Sequence, residues 1–204
     1  MIRMSMKLPD KIAIAVSGGA DSMAALDFLS QSNKEILVLH FNHKTKHADQ
    51  AERVVSDYCG QKNIPCVIGD LEEDIPAGVS KEDFWRQARY NFFDREAGDW
   101  PVITCHHLDD LVETWLFTAF HGEARLIPSK RGKYLRPFLI TRKSTLEDWC
   151  DRKEVPYVYD VSNSDVTHMR NYIRHEIVPR ALRVNPGLPK VLRKRVLNNP
   201  LICD

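Results

Sequence analysis

The chain has 204 residues, 43% hydrophobic and 28% charged, with a formal net charge of +1. That length holds one core plus a small appendage, the composition excludes a disordered chain, and no apolar run is long enough for a membrane span. The opening MIRMSMKLPD lacks the apolar stretch of a secretory signal, which predicts a cytoplasmic protein, and Cys59, Cys66, Cys105, Cys150 and Cys203 lack the paired spacing of a disulfide framework or zinc site, which predicts reduced, mostly buried thiols.

Residues 11–16 form an apolar run that predicts a buried strand. It passes directly into Ser17-Gly18-Gly19-Ala20-Asp21-Ser22, which opens a helix predicted over 21–31. Two glycines allow a tight turn that aims N–H groups at an anion, and the helix N-terminus adds its partial positive charge. No lysine follows them, so this is not the ATP-binding loop of the Gly-Lys-Ser/Thr type. Asp21 and Ser22 equally suit ordinary first-turn capping.

A second strand is predicted over 36–40, followed by His40-Phe41-Asn42-His43 at its end. Then come a helix over 49–62, a strand at 66–68 ending at Gly69, a helix over 81–97, a strand at 102–104 and a helix over 108–120. Nearly all-apolar strands alternating with helices predict an α/β fold: a Rossmann-like parallel sheet flanked by helices. Ligands of such sheets bind at the carboxyl ends of the strands. The loop after Val16, the segment from His40 to His43, and Thr104-Cys105-His106-His107 all fall there, which predicts one shared pocket. Beyond residue 120 the pattern loosens, with helices predicted near 142–153 and 170–184. The chain thus divides into residues 1–185, an α/β domain with a small helical C-terminal extension, and 186–204, a basic tail that is either a short helix or a frayed end.

The string from His106 to Thr114 packs two imidazoles and the carboxylates of Asp109, Asp110 and Glu113 into a strand-to-helix junction. On a helix Asp110, Glu113, Thr114 and Phe117 share one face, opposite a stripe of Leu108, Leu111, Val112, Trp115 and Leu116. A metal site, a cation pocket for an amine and helix-start capping all fit that pattern. Charge is also split along the chain: 12 Lys+Arg against 19 Asp+Glu in residues 1–120, then 17 against 9 in the remainder. A basic half beside an acidic one points to a polyanionic partner such as RNA, although solvated surface charge alone produces such splits.

The Ser17–Ser22 string resembles the pyrophosphate-loop signature of the ATP pyrophosphatases, which cleave ATP between the α and β phosphates. Together with His40, Asn42 and His43, and with His-His-x-Asp-Asp-x-x-Glu-Thr at 106–114, it resembles the tRNA(Ile)-lysidine synthetase family. Ala88-Arg89-Tyr90, Arg136-Pro137-Phe138-Leu139, Asp160-Val161-Ser162-Asn163 and Arg170-Asn171-Tyr172-Ile173-Arg174 continue the likeness, in order, over residues 11–186.

The resemblance implies an adenine nucleotide alpha hydrolase-like fold, ATP and Mg2+ as cofactors, and tRNA(Ile) with a CAU anticodon and free L-lysine as partners, without a membrane. The wobble cytidine is adenylated and the lysine amine then displaces AMP. By the same resemblance Ser17, Gly18, Gly19, Ala20, Asp21 and Ser22 bind ATP, with Asp21 beside the metal, and His40, Asn42 and His43 order the loop around adenine and ribose. Arg89 and His106 act at the phosphate or leaving group, Asp110 and Glu113 bind lysine and take its proton, and Arg170, Asn171 and Arg174 contact RNA. Blander roles are a surface charge for Arg89, a core or capping role for His106, and an Arg174–Asp160 pair that only holds the last helix.

The match departs at residues 120–128, which replace the family's glycine-rich loop, and the chain stops at Asp204 where many members continue into tRNA-binding domains. Weaker or differently organised tRNA binding is therefore expected. The rival readings are another pyrophosphate-loop RNA enzyme of the cytidine thiolase type, a small-molecule amide ligase, and a catalytically silent RNA-binding module. The oligomeric state, a homodimer among the options, is not set by the sequence.

Overall fold

Strand β1 (Lys11–Ala15) sends Ile12 and Ile14 into the core on one side and Ala13 and Ala15 into the core on the other. Burial on both faces explains why its sequence is apolar without alternation. The computed structural model describes residues 1–45, 48–71, 75, 78–159 and 169–198. β2 (Glu35–Asn42) runs parallel to β1, from Lys11 opposite Glu35 to Ala15 opposite Leu39, and β3 (Cys66–Asp70) lies parallel beyond it. β4 (Val102–Ile103) pairs parallel on the other side of β1. The predicted parallel sheet is present, with one correction: a hairpin of β5 (Lys130–Arg131) and β6 (Tyr134–Leu135) completes the order β3-β2-β1-β4-β6-β5, and its edge strand β5 is antiparallel. Two-residue strands carry too little periodicity to be read from sequence.

Helices α1 (Ala20–Ser30), α2 (Ala48–Lys62), α3 (Lys81–Ala97), α4 (Leu108–Phe120) and α5 (Lys143–Lys153) follow the expected spans. Asp27 of α1 is buried and accepts from Tyr58 Oη at 2.6 Å, Trp149 Nε1 at 2.7 Å and Gln31 Nε2 at 2.9 Å, which ties α1 to α2 and α5. A buried carboxylate is tolerated when its lone pairs are matched in this way. On the opposite face Gly69 lets α3 lie close, because a Cβ there would sit 2.4 Å from the Phe92 ring.

The single helix expected over 170–184 is instead α6 (Met169–Tyr172), a π-helical stretch (Ile173–Ile177) and α7 (Val178–Val184). The end left open by the sequence is ordered through α8 (Leu188–Asn198): Leu188, Leu192 and Val196 bury themselves with Leu108, Leu111, Val112 and Leu116 of α4 and with Ile173. Asp160, Val161, Ser162, Asn163 and Cys203 lie outside the described residues. No helix among the described residues is long and apolar enough to cross a membrane.

Candidate functional site

Both connections at the point where the strand order reverses, β1 to α1 and β4 to α4, end at the carboxyl edge of the sheet. In the first, Gly18 adopts φ 84° and a Cβ on it would lie 2.9 Å from Ala51 Cβ, so both conformation and space demand glycine. The Ser17 N–H donates to Ser22 Oγ at 3.1 Å and the Ser22 hydroxyl donates to Gly19 O at 2.9 Å. Its proton thus committed, Ser22 Oγ accepts from the Ser17 hydroxyl at 3.2 Å. The turn is closed by its own hydroxyls, while Gly19, the residue before α1, supplies no side-chain cap. An uncapped helix start presents N–H groups and positive potential to an anion.

β2 runs two residues past its expected end at His40, so Asn42 lies within the strand as well. Parallel pairing with β3 to Asp70 carries the strand further than its apolar run. His40 donates from Nδ1 to Val16 O at 2.8 Å and pins the end of β1, with burial lowering its pKa. Asn42 donates to Asp49 Oδ1 at 3.2 Å and Glu52 Oε2 at 2.8 Å and accepts from the Lys44 N–H at 2.7 Å, which orders the entry to α2. His43 packs between Phe41 and Trp85, with ring centroids 5.0 and 5.2 Å away.

The second connection is organised by His107, a residue that the sequence reading left without a role. Its N–H donates to Asp110 Oδ2 at 2.9 Å, and the Asp110 N–H donates to His107 Nδ1 at 3.2 Å, a reciprocal cap on α4. Because Nδ1 accepts, the ring proton sits on Nε2, which faces Asp21 Oδ2 at 3.5 Å. Burial lowers the His107 pKa, but Asp110, Asp21 and Asp109 outweigh it and the net direction is upward. The His-x-x-Asp spacing of a capping box was the available clue. Asp109 is structural, accepting from Lys143 N at 2.8 Å and pairing with Arg142 at 2.8 Å at the start of α5.

Glu113, one turn along α4, is buried and held bidentately by Arg174: Nε to Oε1 at 2.7 Å and Nη2 to Oε2 at 2.9 Å. The same guanidinium lies 3.6 Å from Asp110 Oδ1. Burial raises the Glu113 pKa against the opposing pull of Arg174, and the pair keeps Arg174 firmly charged. Arg174 comes from the π-helical stretch, a backbone irregularity often found at functional sites. Asp21, His107, Asp110, Arg174 and Glu113 are thus joined contact by contact beside the Ser17–Ser22 turn. Arg170 lies 5.9 Å over the Phe117 ring and, with Glu113, Thr114, Phe117 and Ile173, lines a small hollow; Asn171 is on α6 beside it. Arg89 is half-buried on α3, and its charge helps lower the His43 pKa. No trio of His, Cys, Asp or Glu among the described residues is arranged to hold a metal by itself.

His106 accompanies Thr104, with Nδ1 and Thr104 Oγ1 3.1 Å apart, and burial, with Arg136 nearby, lowers its pKa to about 4 despite Asp110. His43 is likewise lowered to about 4, chiefly by burial. Each binds fewer protons in the folded than in the unfolded state between those values and 6.5, so stability is highest above pH 6.5 and falls as pH drops toward 4. For His106 the shift corresponds to at most about 3 kcal/mol. His107, with its pKa raised, acts in the opposite sense. Thermal midpoints measured from pH 7.5 down to 4.5 are expected to fall less steeply in His106→Gln than in the unsubstituted protein; an unchanged slope would show that His106 takes up its proton without penalty.

A PP-loop domain family model matches residues 3–181. The tRNA(Ile)-lysidine synthase of Thermotoga sp. (strain RQ2) is 35% identical over 92% of this chain and 49% of its own length, and that of Geobacter sulfurreducens is 38% identical over 87% and 41%. The chain therefore spans about half the length of the curated relatives it matches. Among solved structures, NH3-dependent NAD synthetase from Campylobacter jejuni aligns over 95% of this chain and 86% of its own with a TM-score of 0.54 at 14% identity, a likeness of fold. With its uncapped glycine turn after β1 and a family match running from residue 3 to 181, the chain belongs to the PP-loop domain family.

Proposed function

We propose that the chain is the catalytic part of a cytoplasmic tRNA(Ile)-lysidine synthetase, which adenylates the wobble cytidine of a CAU anticodon and then transfers free lysine to it. The observation that carries this reading is the 3.5 Å approach of His107 Nε2 to Asp21, which joins the anion cradle to the carboxylates of Asp110 and Glu113. An activated phosphate ester and the amine that attacks it need such adjacency. Homologues named tRNA(Ile)-lysidine synthase, similar over most of this chain, point the same way.

In this reading the Ser17–Ser22 turn and the α1 N-terminus hold the phosphates of ATP. Asp21 fits Mg2+: its Oδ1 is buried without a hydrogen-bond partner among the described residues, and Mg2+ is commonly held by one or two carboxylates together with substrate phosphates. When bound, the ion supplies neutralisation of phosphate charge. In the same reading Arg89 and a neutral His106 serve the phosphate or the leaving group. Free lysine is mostly protonated at neutral pH, with a pKa of about 10.4, so its amine must be both bound and deprotonated. Asp110 and Glu113 already hold a side-chain cation, the Arg174 guanidinium, and the upward-shifted Glu113 suits proton acceptance. Engagement of lysine there requires Arg174 to move or to share the carboxylates. Arg170, Asn171 and Arg174 lie along the entrance proposed for the anticodon loop.

The test is pyrophosphate release from ATP with purified protein and tRNA(Ile) carrying CAU, with and without lysine, followed by mass analysis of the wobble nucleoside. A lysine-sized mass gain is expected. Cleavage of ATP without that gain would redirect the assignment to another nucleophile or RNA, and RNA binding without ATP turnover would leave a silent binding module.

A further inference from the structure

Arg136 directly follows β6, and the parallel register that sets Leu135 opposite Ile103 brings it alongside Thr104, whose N–H donates to Leu135 O at 2.9 Å. It therefore stands at the carboxyl edge of the sheet, on the strand next to the one that leads into His106 and His107. Only 4% of Arg136 is exposed. One guanidinium nitrogen, Nη1, donates to Pro128 O at 2.8 Å, whereas Nε is buried with no hydrogen-bond partner, and no carboxylate pairs with this residue among the described residues. A buried cation left in that condition is costly, and proteins normally supply a counter-charge.

The neighbours add positive charge instead. Tyr134, two residues earlier and so on the same face of β6, packs its ring 4.8 Å from that of Tyr90 on α3. Arg86 lies 4.8 Å over the Tyr90 ring and donates to the Tyr90 hydroxyl at 3.5 Å. Burial lowers the Arg136 pKa, Tyr90 counteracts it, and the charges of Arg86 and Arg131 lower it further. Both Arg136 and Arg86 contribute to the depressed pKa of His106.

We infer that Arg136, with Arg86, forms a second anion subsite beside His106, separate from the Ser17–Ser22 cradle, that takes a phosphate oxyanion. This rests on the synthetase reading, under which two sources exist: a phosphate of ATP, or a backbone phosphodiester of the RNA next to the cytidine. A planar guanidinium with an unpartnered Nε–H suits either oxyanion.

The experiment compares the unsubstituted protein with Arg136→Gln and Arg86→Gln, each checked for folding by circular dichroism. Calorimetric titrations use ATP without RNA, and an anticodon stem-loop of tRNA(Ile) without ATP. An RNA source predicts at least a tenfold loss of stem-loop affinity, with the salt slope falling by about one per arginine removed, and ATP affinity unchanged. A nucleotide source predicts the tenfold loss for ATP alone. Folded variants that keep both affinities overturn the inference. Should Arg136→Gln fail to fold, Arg86→Gln decides, because its side chain is exposed. Lysidine formation by the unsubstituted protein is assayed alongside. Its absence removes the synthetase reading whatever the arginines bind, and its presence with unchanged affinities removes only the subsite.

Discussion

Glu113→Gln is expected to cut lysine-dependent product formation by at least about 100-fold while leaving lysine-independent pyrophosphate release within a few-fold, because general-base and positioning roles of this kind contribute about that much. The carboxylate faces the guanidinium through both oxygens and is 11% exposed at its side chain, so its charge is felt with little screening. The amide keeps the shape but removes the charge that attracts an ammonium and the site that accepts its proton. Stability also falls, since Arg174 is left with Asp110 at 3.6 Å as its remaining carboxylate partner among the described residues. Breaking a buried pair from one side costs about 3–5 kcal/mol, and the 29% exposure of the Arg174 side chain reduces this to about 2 kcal/mol. Single-turnover assays with saturating and limiting lysine, alongside urea denaturation, separate the two effects. An equal loss of ATP binding would move Glu113 to a metal or nucleotide role.

Gly18→Ala is expected to weaken ATP binding by at least about tenfold and to destabilise the fold by about 2–4 kcal/mol, the sum of a strained left-handed residue and an overpacked contact. The methyl group meets Ala51 at 2.9 Å at a φ of 84°, and both neighbours of the clash are backbone-borne, so neither can swing away. Gly19→Ala is the internal control. Gly19 has φ −78°, and its added Cβ meets only Ser17 Oγ at 3.6 Å, so stability is expected to change by less than about 0.5 kcal/mol. Calorimetry with a non-hydrolysable ATP analogue and thermal unfolding of both variants make the comparison. Equal affinity in Gly18→Ala and the unsubstituted protein would show that the turn does not shape the nucleotide site.

Local chemistry made much of this molecule legible before any coordinates. The all-apolar runs around Ile14 and Val38 announce strands buried on both faces, and the glycines after Val16 announce a tight turn, because each signal is carried by adjacent residues. The acidic junction at 106–114 was equally visible, but its division of labour was not. Asp109 holds α5, Asp110 caps α4 through His107, and Glu113 binds Arg174, roles set by partners three to 61 positions away in sequence. The β5–β6 hairpin escaped notice because two residues per strand show no period.

The sequence by itself determined the parallel sheet, the tight glycine turn after β1 and the gathering of polar side chains at the sheet's carboxyl edge, since these depend on short-range pattern and turn geometry. Only the tertiary structure decided that Arg174 neutralises Glu113, that Arg136 is buried without a counter-charge among the described residues, and that residues 188–198 close over α4. Charge pairing and desolvation are properties of groups brought together through space, and no spacing along the chain specifies them.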